Sequence, residues 1–310
     1  MTDMAAVARA EQLPAQCASS RHSLKDLTDT LLQGADLSGQ DLTQAVLTAM
    51  DLSGADLTAV CLQDAHMSRC NLNGASLVGS DLTAVSLEDA TLIGGICQGA
   101  CFDRALLRRS ILVGANLSEA EFSDADLQGA DLSYSVLRRA SLAAATLTNA
   151  RLHRIRASGA ELYAISARAA VLTEAALQGS DLRLANFAEA DLGDADLTKA
   201  NLHQADLTDA CCDRACLRQV NLGRAKLHGT SLVGVDFRQA NLSRARLTKA
   251  SLVGANLTGA CLDRAVFHQV NLRGVMWCQT SLKKVRMYQP LGLTRAEHGW
   301  LRSQGVTIED

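Results

Sequence analysis

The sequence predicts a solenoid, because one five-residue unit repeats through most of its 310 residues. Three observations lead to this prediction. A large apolar residue, usually Leu, recurs at every fifth position from Leu27 to Met287. A small residue, usually Ala, lies two positions before it, and Asp, Asn, Ser or Thr often stands between the two, as in ADLTKANLHQADLTDA at residues 195–210. Glycine adds a second period of twenty residues, and internal periods of this kind are typical of repeat proteins.

The large and the small apolar residue of each unit are predicted to face the interior together. A period of five matches neither the 3.6-residue period of an α-helix nor the two-residue alternation of a strand. Two exceptions support the interpretation. Where Ala157 and Ala167 replace the large residue, Ile155 and Ile165 replace the small one, so the side-chain volume moves within the unit but does not disappear. The other three positions of each unit are expected to face outward.

Four units are predicted to make one coil, because the turn position carries glycine at intervals of twenty residues. One glycine column runs through Gly34–Gly114 and resumes at Gly234–Gly274, a neighbouring column also carries several, and the other two columns have almost none. Glycine is common in turns that need a positive φ, so the columns are expected to mark four different sides. Phe102 and Phe122 both occupy the large position, twenty residues apart, and should therefore stack directly on each other.

Over residues 25–288 these units resemble the pentapeptide repeat family. The resemblance implies an all-β solenoid, a right-handed quadrilateral β-helix with Leu, Phe and Ala in the core. At the usual strand spacing of about 4.8 Å, about 13 coils would form a rod of roughly 60 Å. The unbroken register favours one repeat domain over two. Residues 1–24 are then expected to form an N-terminal cap or a flexible tail, and residues 289–310 a C-terminal capping helix.

A short C-terminal α-helix is predicted after the last unit, since Thr294 and Glu297 have the spacing of a capping box. Leu293, Trp300 and Leu301 give this segment an apolar stripe. The stripe either covers the exposed last coil, as terminal caps of solenoids do, or makes the contact of a homodimer. The resemblance keeps the second interpretation open, because several members of the family pair through their C-terminal ends.

No catalytic, cofactor-binding or metal-binding site is expected, and the protein is predicted not to be an enzyme. The sequence lacks a phosphate-binding loop, a dinucleotide fingerprint and a recognisable set of nucleophile and base. The run CCDRAC is the strongest metal candidate. Cys212 falls on an inward position, however, while Cys211 and Cys216 fall on outward positions of two different sides. They could not converge on one ion, and zinc needs about four convergent ligands.

Ten cysteines and a first segment without the features of a secretory signal indicate free thiols in a reducing bacterial cytoplasm. Export by a route that needs no signal stays open. No apolar stretch approaches the length of a membrane span.

Charge is distributed unevenly along the chain, although the net charge is only −3. Residues 1–150 contain 9 Lys and Arg against 18 Asp and Glu, and residues 151–310 contain 21 against 15. Residues 211–286 are the extreme, with 13 basic residues and 3 acidic ones. A period of twenty predicts that many of these cations line one edge of the last coils. This basic stripe comprises Arg224, Lys226, Arg244, Arg246, Arg264, Lys283, Lys284 and Arg286.

The basic stripe is open to two interpretations. It is either an edge kept soluble by its charge or a docking strip for an acidic partner. An acidic protein surface is favoured over nucleic acid, because the stripe itself has no interleaved aromatic residues on which bases could stack.

Two further surfaces are candidates for interaction. An outward apolar patch is predicted from the positions of Ile93, Ile111 and Val113, and contiguous apolar patches often mark interfaces. An acidic surface is predicted near the N-terminal end, at Asp36, Asp41, Asp51 and Asp56.

The sequence thus favours a non-enzymatic scaffold or adaptor for protein–protein interaction. Two alternatives remain open. Some proteins that the chain resembles bind DNA gyrase as acidic mimics of duplex DNA and protect it from inhibitors, and the acidic N-terminal half allows that role. The third hypothesis is a secreted bacterial effector or an adaptor of a secretion system.

Overall fold

The computed structural model describes residues 32–309, so the predicted N-terminal cap or tail at residues 1–24 lies outside the described residues. The chain divides into two compact units, Met1–Arg156 and Ala157–Asp310. Of the first unit the structure describes residues 32–156, and of the second residues 157–309.

The first unit is a β-helix of parallel coils that advance by twenty residues. Its isolated bridges join residues twenty positions apart, from Asp36 with Asp56 to Val136 with Arg156, and all are parallel. The amide of Leu37 also donates to the carbonyl of Asp56 at 2.8 Å. Four five-residue units therefore make one coil, as predicted.

The interior contains the large and small apolar residues of each unit, as predicted. Leu52, Ala55 and Leu57 have no exposed surface, and the same two positions are buried in unit after unit. The two exchanged residues in the second unit, Ile165 and Ala167, are 2% and 0% exposed. Such close packing of large against small side chains gives a protein interior its density.

Phe102 and Phe122 confirm the coil length most directly. Their rings are stacked with centroids 4.7 Å apart and an interplanar angle of 2°. That separation is the distance between neighbouring strands, so the two residues occupy the same position in consecutive coils.

The third residue of each turn, called here the corner residue, has a positive φ whether or not it is glycine. Gly34 has φ +67°, Asp64 +56° and Arg104 +59°. The glycine columns therefore distinguish the four sides by sequence, while the backbone conformation of the corner is the same on all of them. The physical reason is that the neighbouring coil fixes the conformation, since the amide of Arg104 donates to the carbonyl of Ser123 at 2.9 Å. A sparsely populated conformation persists where its surroundings determine it in this way.

The Asp or Asn between the two apolar residues supports the turn that follows. Asp36 accepts the Ser38 amide at 3.0 Å, and Asp41 accepts the Thr43 amide at the same distance. Side-chain hydrogen bonds from Ser38 and Thr43, followed by these amides, lower the pKa of the two carboxyl groups. Asp side chains stabilise turns in this way in many proteins.

The second unit repeats the same coil and adds regular secondary structure at its C-terminal end. Its bridges begin at Glu161 with Asp181 and end at Asn271 with Leu291. Four short strands form one parallel sheet in chain order, and one helix lies between the last two strands. They are β1 (Arg246–Thr248), β2 (Val266–His268), β3 (Arg286–Tyr288), α1 (Arg295–Ser303) and β4 (Thr307–Glu309).

Helix α1 begins as the sequence predicts. Thr294 is its N-cap, and the capping box with Glu297 is formed in both directions. The predicted apolar stripe is divided, however. Leu301 is fully buried, Leu293 is half-buried and Trp300 is 40% exposed. The stripe therefore contributes to the interior at Leu301 and leaves Trp300 at the surface.

Residues 289–310 contain strand β4 in addition to the predicted helix. This strand pairs in parallel with β3, with Arg286 opposite Thr307. Its offset is twenty-one residues, so it falls outside the five-residue register. Its middle residue Ile308 is buried, as is Val306 just before it. Within residues 32–309, the structure contains no helix long and apolar enough to cross a membrane.

Candidate functional site

The four basic corner residues Arg224, Arg244, Arg264 and Lys284 form one column in the second unit. Their φ angles are +61°, +60°, +64° and +58°, and all four side chains are exposed. The amide of Arg224 donates to Ser243, one residue before Arg244, and the same contact recurs one coil later. Each cation therefore lies one coil from the next, as the period of twenty predicts.

A second basic column lies two residues beyond this corner. Lys226 pairs with Arg246, Arg246 with Val266, and Val266 with Arg286 in successive coils. Arg246 and Arg286 are exposed, whereas Lys226 forms an ion pair with Asp206 at 3.0 Å. Lys226 is thus partly neutralised at the lower end of the stripe.

Lys283 lies beside Lys284 at the upper end of the stripe and is also exposed. Its amide donates to Asp263 at 3.1 Å, and the same carboxylate oxygen accepts the Ser281 hydroxyl at 2.6 Å. Asp263 therefore binds backbone and hydroxyl groups of the next coil. Among residues 32–309, it forms no ion pair with the cations around it.

Other corners of the protein arrange their charges in opposite pairs. Arg214 binds Asp194 through two hydrogen bonds of 2.8 and 2.6 Å, and Arg109 binds Asp89 in the same way at 2.7 Å. The guanidinium hydrogen bond is the main cause that lowers the pKa of Asp194 and of Asp89. In the part of the chain that the structure describes, Arg224 and the three cations above it have no ion-pair partner.

Two neighbouring rings, His268 and Tyr288, lie on the same side as the second basic column. In β1 to β3 the first and third residues face outward and the middle residue is buried. The third residues are Thr248, His268 and Tyr288, and the His268 and Tyr288 rings are 6.3 Å apart. The Nδ1 atom of His268 is buried and has no hydrogen-bond partner among the described residues. His228 occupies the same column one coil below Thr248.

The next corner adds Lys249, which is exposed. The turns after β1 and β2 lack the hydrogen bond from the amide of their fourth residue to the carbonyl of their first, which closes most turns in residues 32–309. A shallow groove of about 610 Å³ follows this corner, with Lys249, Gln269, Gln289 and Leu291 in its wall. Gln269 donates to Gln289 across it at 2.9 Å.

We call this side the cationic face, defined as the outward surface of residues 224–229, 244–249, 264–269 and 284–289. The basic stripe of this face was predicted from the sequence, whereas Lys249, His228, His268 and Tyr288 were not assigned to it. The signal was available, because His228, His268 and Tyr288 stand four residues after the basic corner residues and repeat at multiples of twenty.

The predicted apolar patch lies in the first unit, where the structure brings its three members together. Ile111 pairs with Thr91, and Gly94 donates to the carbonyl of Val113. Ile93 and Ile111 are 45% and 37% exposed, while Val113 is half-buried.

The four predicted acidic residues are exposed but do not share one surface. Asp36 and Asp56 pair with each other in consecutive coils, whereas Asp41 pairs with Cys61 and Asp51 with Asn71 on two other sides. The acids therefore surround the coils of this segment and do not form a row like that of the basic stripe.

Metal-ligating side chains converge at one place in the described residues. Cys101, Asp103 and Glu121 bring one ligand atom each within 4.8 Å of one another. Asp103 already accepts the Ser123 amide at 2.7 Å, and structural zinc is almost always held by four ligands. The other thiols are arranged as predicted, with Cys212 buried and its pKa raised by that burial. The absence of a bound metal stays a prediction.

The family described as Pentapeptide repeats matches the chain in eight copies, at residues 26–58, 61–96, 70–109, 100–138, 126–162, 168–204, 185–224 and 221–259. A comparison with curated proteins gave no match.

Several solved structures are similar. HetL, a pentapeptide repeat protein involved in heterocyst differentiation regulation in the cyanobacterium Nostoc sp. strain PCC 7120, is 30% identical over 89% of this chain and 95% of its own, with a TM-score of 0.27. A pentapeptide repeat protein of the Arabidopsis thaliana thylakoid lumen is 25% identical over 43% and 81%, with a TM-score of 0.27. QnrB1, a plasmid-mediated fluoroquinolone resistance protein, is 17% identical over 74% and 96%, with a TM-score of 0.24. The family matches span most of the sequence, and the chain belongs to the pentapeptide repeat family.

Proposed function

We propose that this protein is a non-catalytic interaction scaffold that binds an anionic macromolecule on its cationic face. Pentapeptide repeat proteins are in general structural or interaction proteins. The observation that carries the proposal is the column of four stacked cations, Arg224 to Lys284, without carboxylate partners in the described residues. Like charges on neighbouring strands are destabilising, so stability alone does not account for this column.

The proposal can be tested with purified protein and two labelled anionic probes, a short oligoglutamate peptide and an oligothymidylate. We expect at least one probe to bind at a salt concentration of about 0.15 M. Binding should be lost in the Arg244→Glu/Arg264→Glu variant, mainly because association becomes slower. The matched control is Lys199→Glu/Arg273→Glu, which changes charge equally at two exposed sites outside the face. Failure of both probes to bind, or equal losses in both variants, would contradict the proposal.

Docking to an acidic protein surface is the form of this function that the sequence favours. Recognition of DNA gyrase by mimicry of DNA is a weaker candidate, because Asp36, Asp41 and Asp51 lie on three different sides. A role as a secreted effector or secretion adaptor, a cytoplasmic location and pairing of two copies through the C-terminal end all stay predictions. For the last of these, Trp300 offers an exposed contact, whereas Leu301 is already buried within its own chain.

A further inference from the structure

We infer that the anionic partner of the cationic face is a single-stranded nucleic acid, an inference that rests on the proposed function of this face as a binding surface. A column of cations runs over consecutive coils, and in the coils of β2 and β3 two half-buried rings, His268 and Tyr288, lie beside it. Proteins that bind single strands without sequence preference combine a positively charged groove along the backbone with aromatic side chains on which bases stack.

The charge of the face has one sign. Its four segments contain eight Lys and Arg residues and no Asp or Glu, and carboxylates flank it at Asp206, opposite Lys226, and at Glu309, opposite Tyr288 on β4. Within the described residues only Lys226 of these eight is ion-paired, with Asp206 at the lower edge. Neighbouring corner cations lie about 4.8 Å apart along the column, and their long flexible side chains can reach successive phosphates. Each phosphate neutralised would release a counterion and make binding dependent on salt.

The rings lie where the bases of such a strand would fall. Tyr288 and His268 face outward from β3 and β2, two residues beyond Arg286 and Val266 on the same strands. A backbone held along the basic columns therefore places its bases across the sheet, toward these rings. The shallow groove at Gln269 and Gln289 continues beyond them and offers amide groups for hydrogen bonds with base edges.

A single strand uses these features more fully than the two other anionic partners do. Protein interfaces combine an apolar centre with a polar rim, whereas Val266 is the one aliphatic side chain that faces outward between the two corners of the face. A duplex keeps its bases stacked on one another, so it would contact the cations and leave the His268 and Tyr288 rings unused. The basic stripe itself lacks aromatic residues, which favoured an acidic protein surface over nucleic acid, and the structure places two rings in the adjacent column.

The test is a titration followed by fluorescence anisotropy with three labelled probes: an oligothymidylate of about ten nucleotides, a DNA duplex and an oligoglutamate peptide. We expect the oligothymidylate to bind most tightly. The logarithm of its association constant should fall against the logarithm of salt concentration with a slope of about −3, as for about four phosphate contacts.

Variants separate the two columns. Arg244→Glu/Arg264→Glu should weaken oligothymidylate binding at least about tenfold and make the salt slope shallower. Tyr288→Ala should weaken it about five- to 100-fold without changing the slope. Tyr288→Phe keeps the ring and should bind like the unchanged protein. A loss of binding in this variant would point to the hydroxyl group instead of the ring. Lys199→Glu/Arg273→Glu should bind like the unchanged protein, and melting curves should show that each variant is folded.

The outcomes distinguish this inference from the proposed function. If oligoglutamate or the duplex binds as tightly as the oligothymidylate, or if Tyr288→Ala has no effect while Arg244→Glu/Arg264→Glu abolishes binding, the nucleic-acid inference is wrong and the face remains a binding surface. If none of the three probes binds, both are overturned.

Discussion

Two corners of the second unit share one backbone conformation and carry opposite arrangements of charge. At the first, Asp194 and Arg214 lie one coil apart with φ +58° and +59° and form a bidentate ion pair. At the second, Arg224 and Arg244 lie one coil apart with φ +61° and +60°, and both are exposed cations. The interior and the hydrogen bonds between coils fix the backbone of both corners alike. The fold therefore does not dictate which side chains stand at a corner, and they can contribute to stability or to binding. At the first corner the ion pair contributes to stability.

The largest expected effect comes from breaking the interior that holds both corners. Leu197 is 1% exposed, so Leu197→Asp buries an unpaired carboxylate and should lower the free energy of unfolding by at least about 4 kcal/mol. Asp196→Ala is the matched control. It loses the hydrogen bonds of a half-buried carboxylate with Thr198 and Gln178, and about 1–2 kcal/mol is expected. Equal losses in chemical denaturation would contradict the assignment of inside and outside.

Acidification should separate the two corners next. Hydrogen bonds from Arg214 and Arg109 lower the pKa of Asp194 and Asp89 from the usual 3.8. A lowered pKa in the folded state stabilises the fold above that usual value, and the contribution is lost as pH falls through the folded pKa. The melting temperature should therefore fall once the pH is lowered below about 4. The drop should be smaller in Arg214→Gln, and Arg244→Gln should not change it. If the melting temperature of Arg214→Gln fell with acid as much as that of the unchanged protein, the ion pair would not contribute to stability.

Charge reversal should have opposite signs at the two corners. Arg214→Glu places a second anion beside Asp194 and should lower the melting temperature. Arg264→Glu places an anion between Arg244 and Lys284 and should raise the free energy of unfolding by about 0.5 kcal/mol. Thermal melts at low salt check the stability change of each variant relative to the unchanged protein, and both changes should become smaller at high salt. A loss of stability in Arg264→Glu would mean that the basic column is not repulsive.

The smallest expected effect concerns the strain that all corners share. Ala164 has φ +55°, and a left-handed conformation is unfavourable for Ala but not for Gly. Ala164→Gly should stabilise the protein by about 0.5 kcal/mol. The control, Ala160→Gly, removes a methyl group from a buried position without positive φ and should destabilise. Stabilisation by both substitutions, or by neither, would contradict a common strain at the corners.

The interior could be predicted from sequence because its rule is local and repeats. The five-residue spacing alone assigns Leu52 and Ala55 to the core, and the period of twenty alone stacks Phe102 on Phe122. A wrong assignment of inward and outward positions in one repeat unit would disagree with the residue pattern of the next unit. The basic corner column was predicted for the same reason, since its members keep the register of the repeat.

The rest depends on contacts that no period encodes. Strand β4 is offset by twenty-one residues, so it is invisible to a search at twenty. Side-chain geometry decides that Lys226 reaches Asp206 while Arg246 has no acid opposite. The His268 and Tyr288 rings were not assigned to the face, because they lie outside the two columns of the basic stripe, at the far ends of β2 and β3.

The central claim is that the packed interior determines the fold of the coils, so that the cations of the basic corner are not needed for stability and serve binding. The most direct test measures two quantities on the same preparation of the Arg244→Glu/Arg264→Glu variant: its free energy of unfolding and its affinity for the anionic probe. Each new Glu then has a cation in a neighbouring coil, so the free energy of unfolding should be unchanged or higher, while affinity for the probe falls at least about tenfold. A variant that loses stability, or one that keeps full affinity, would contradict the claim.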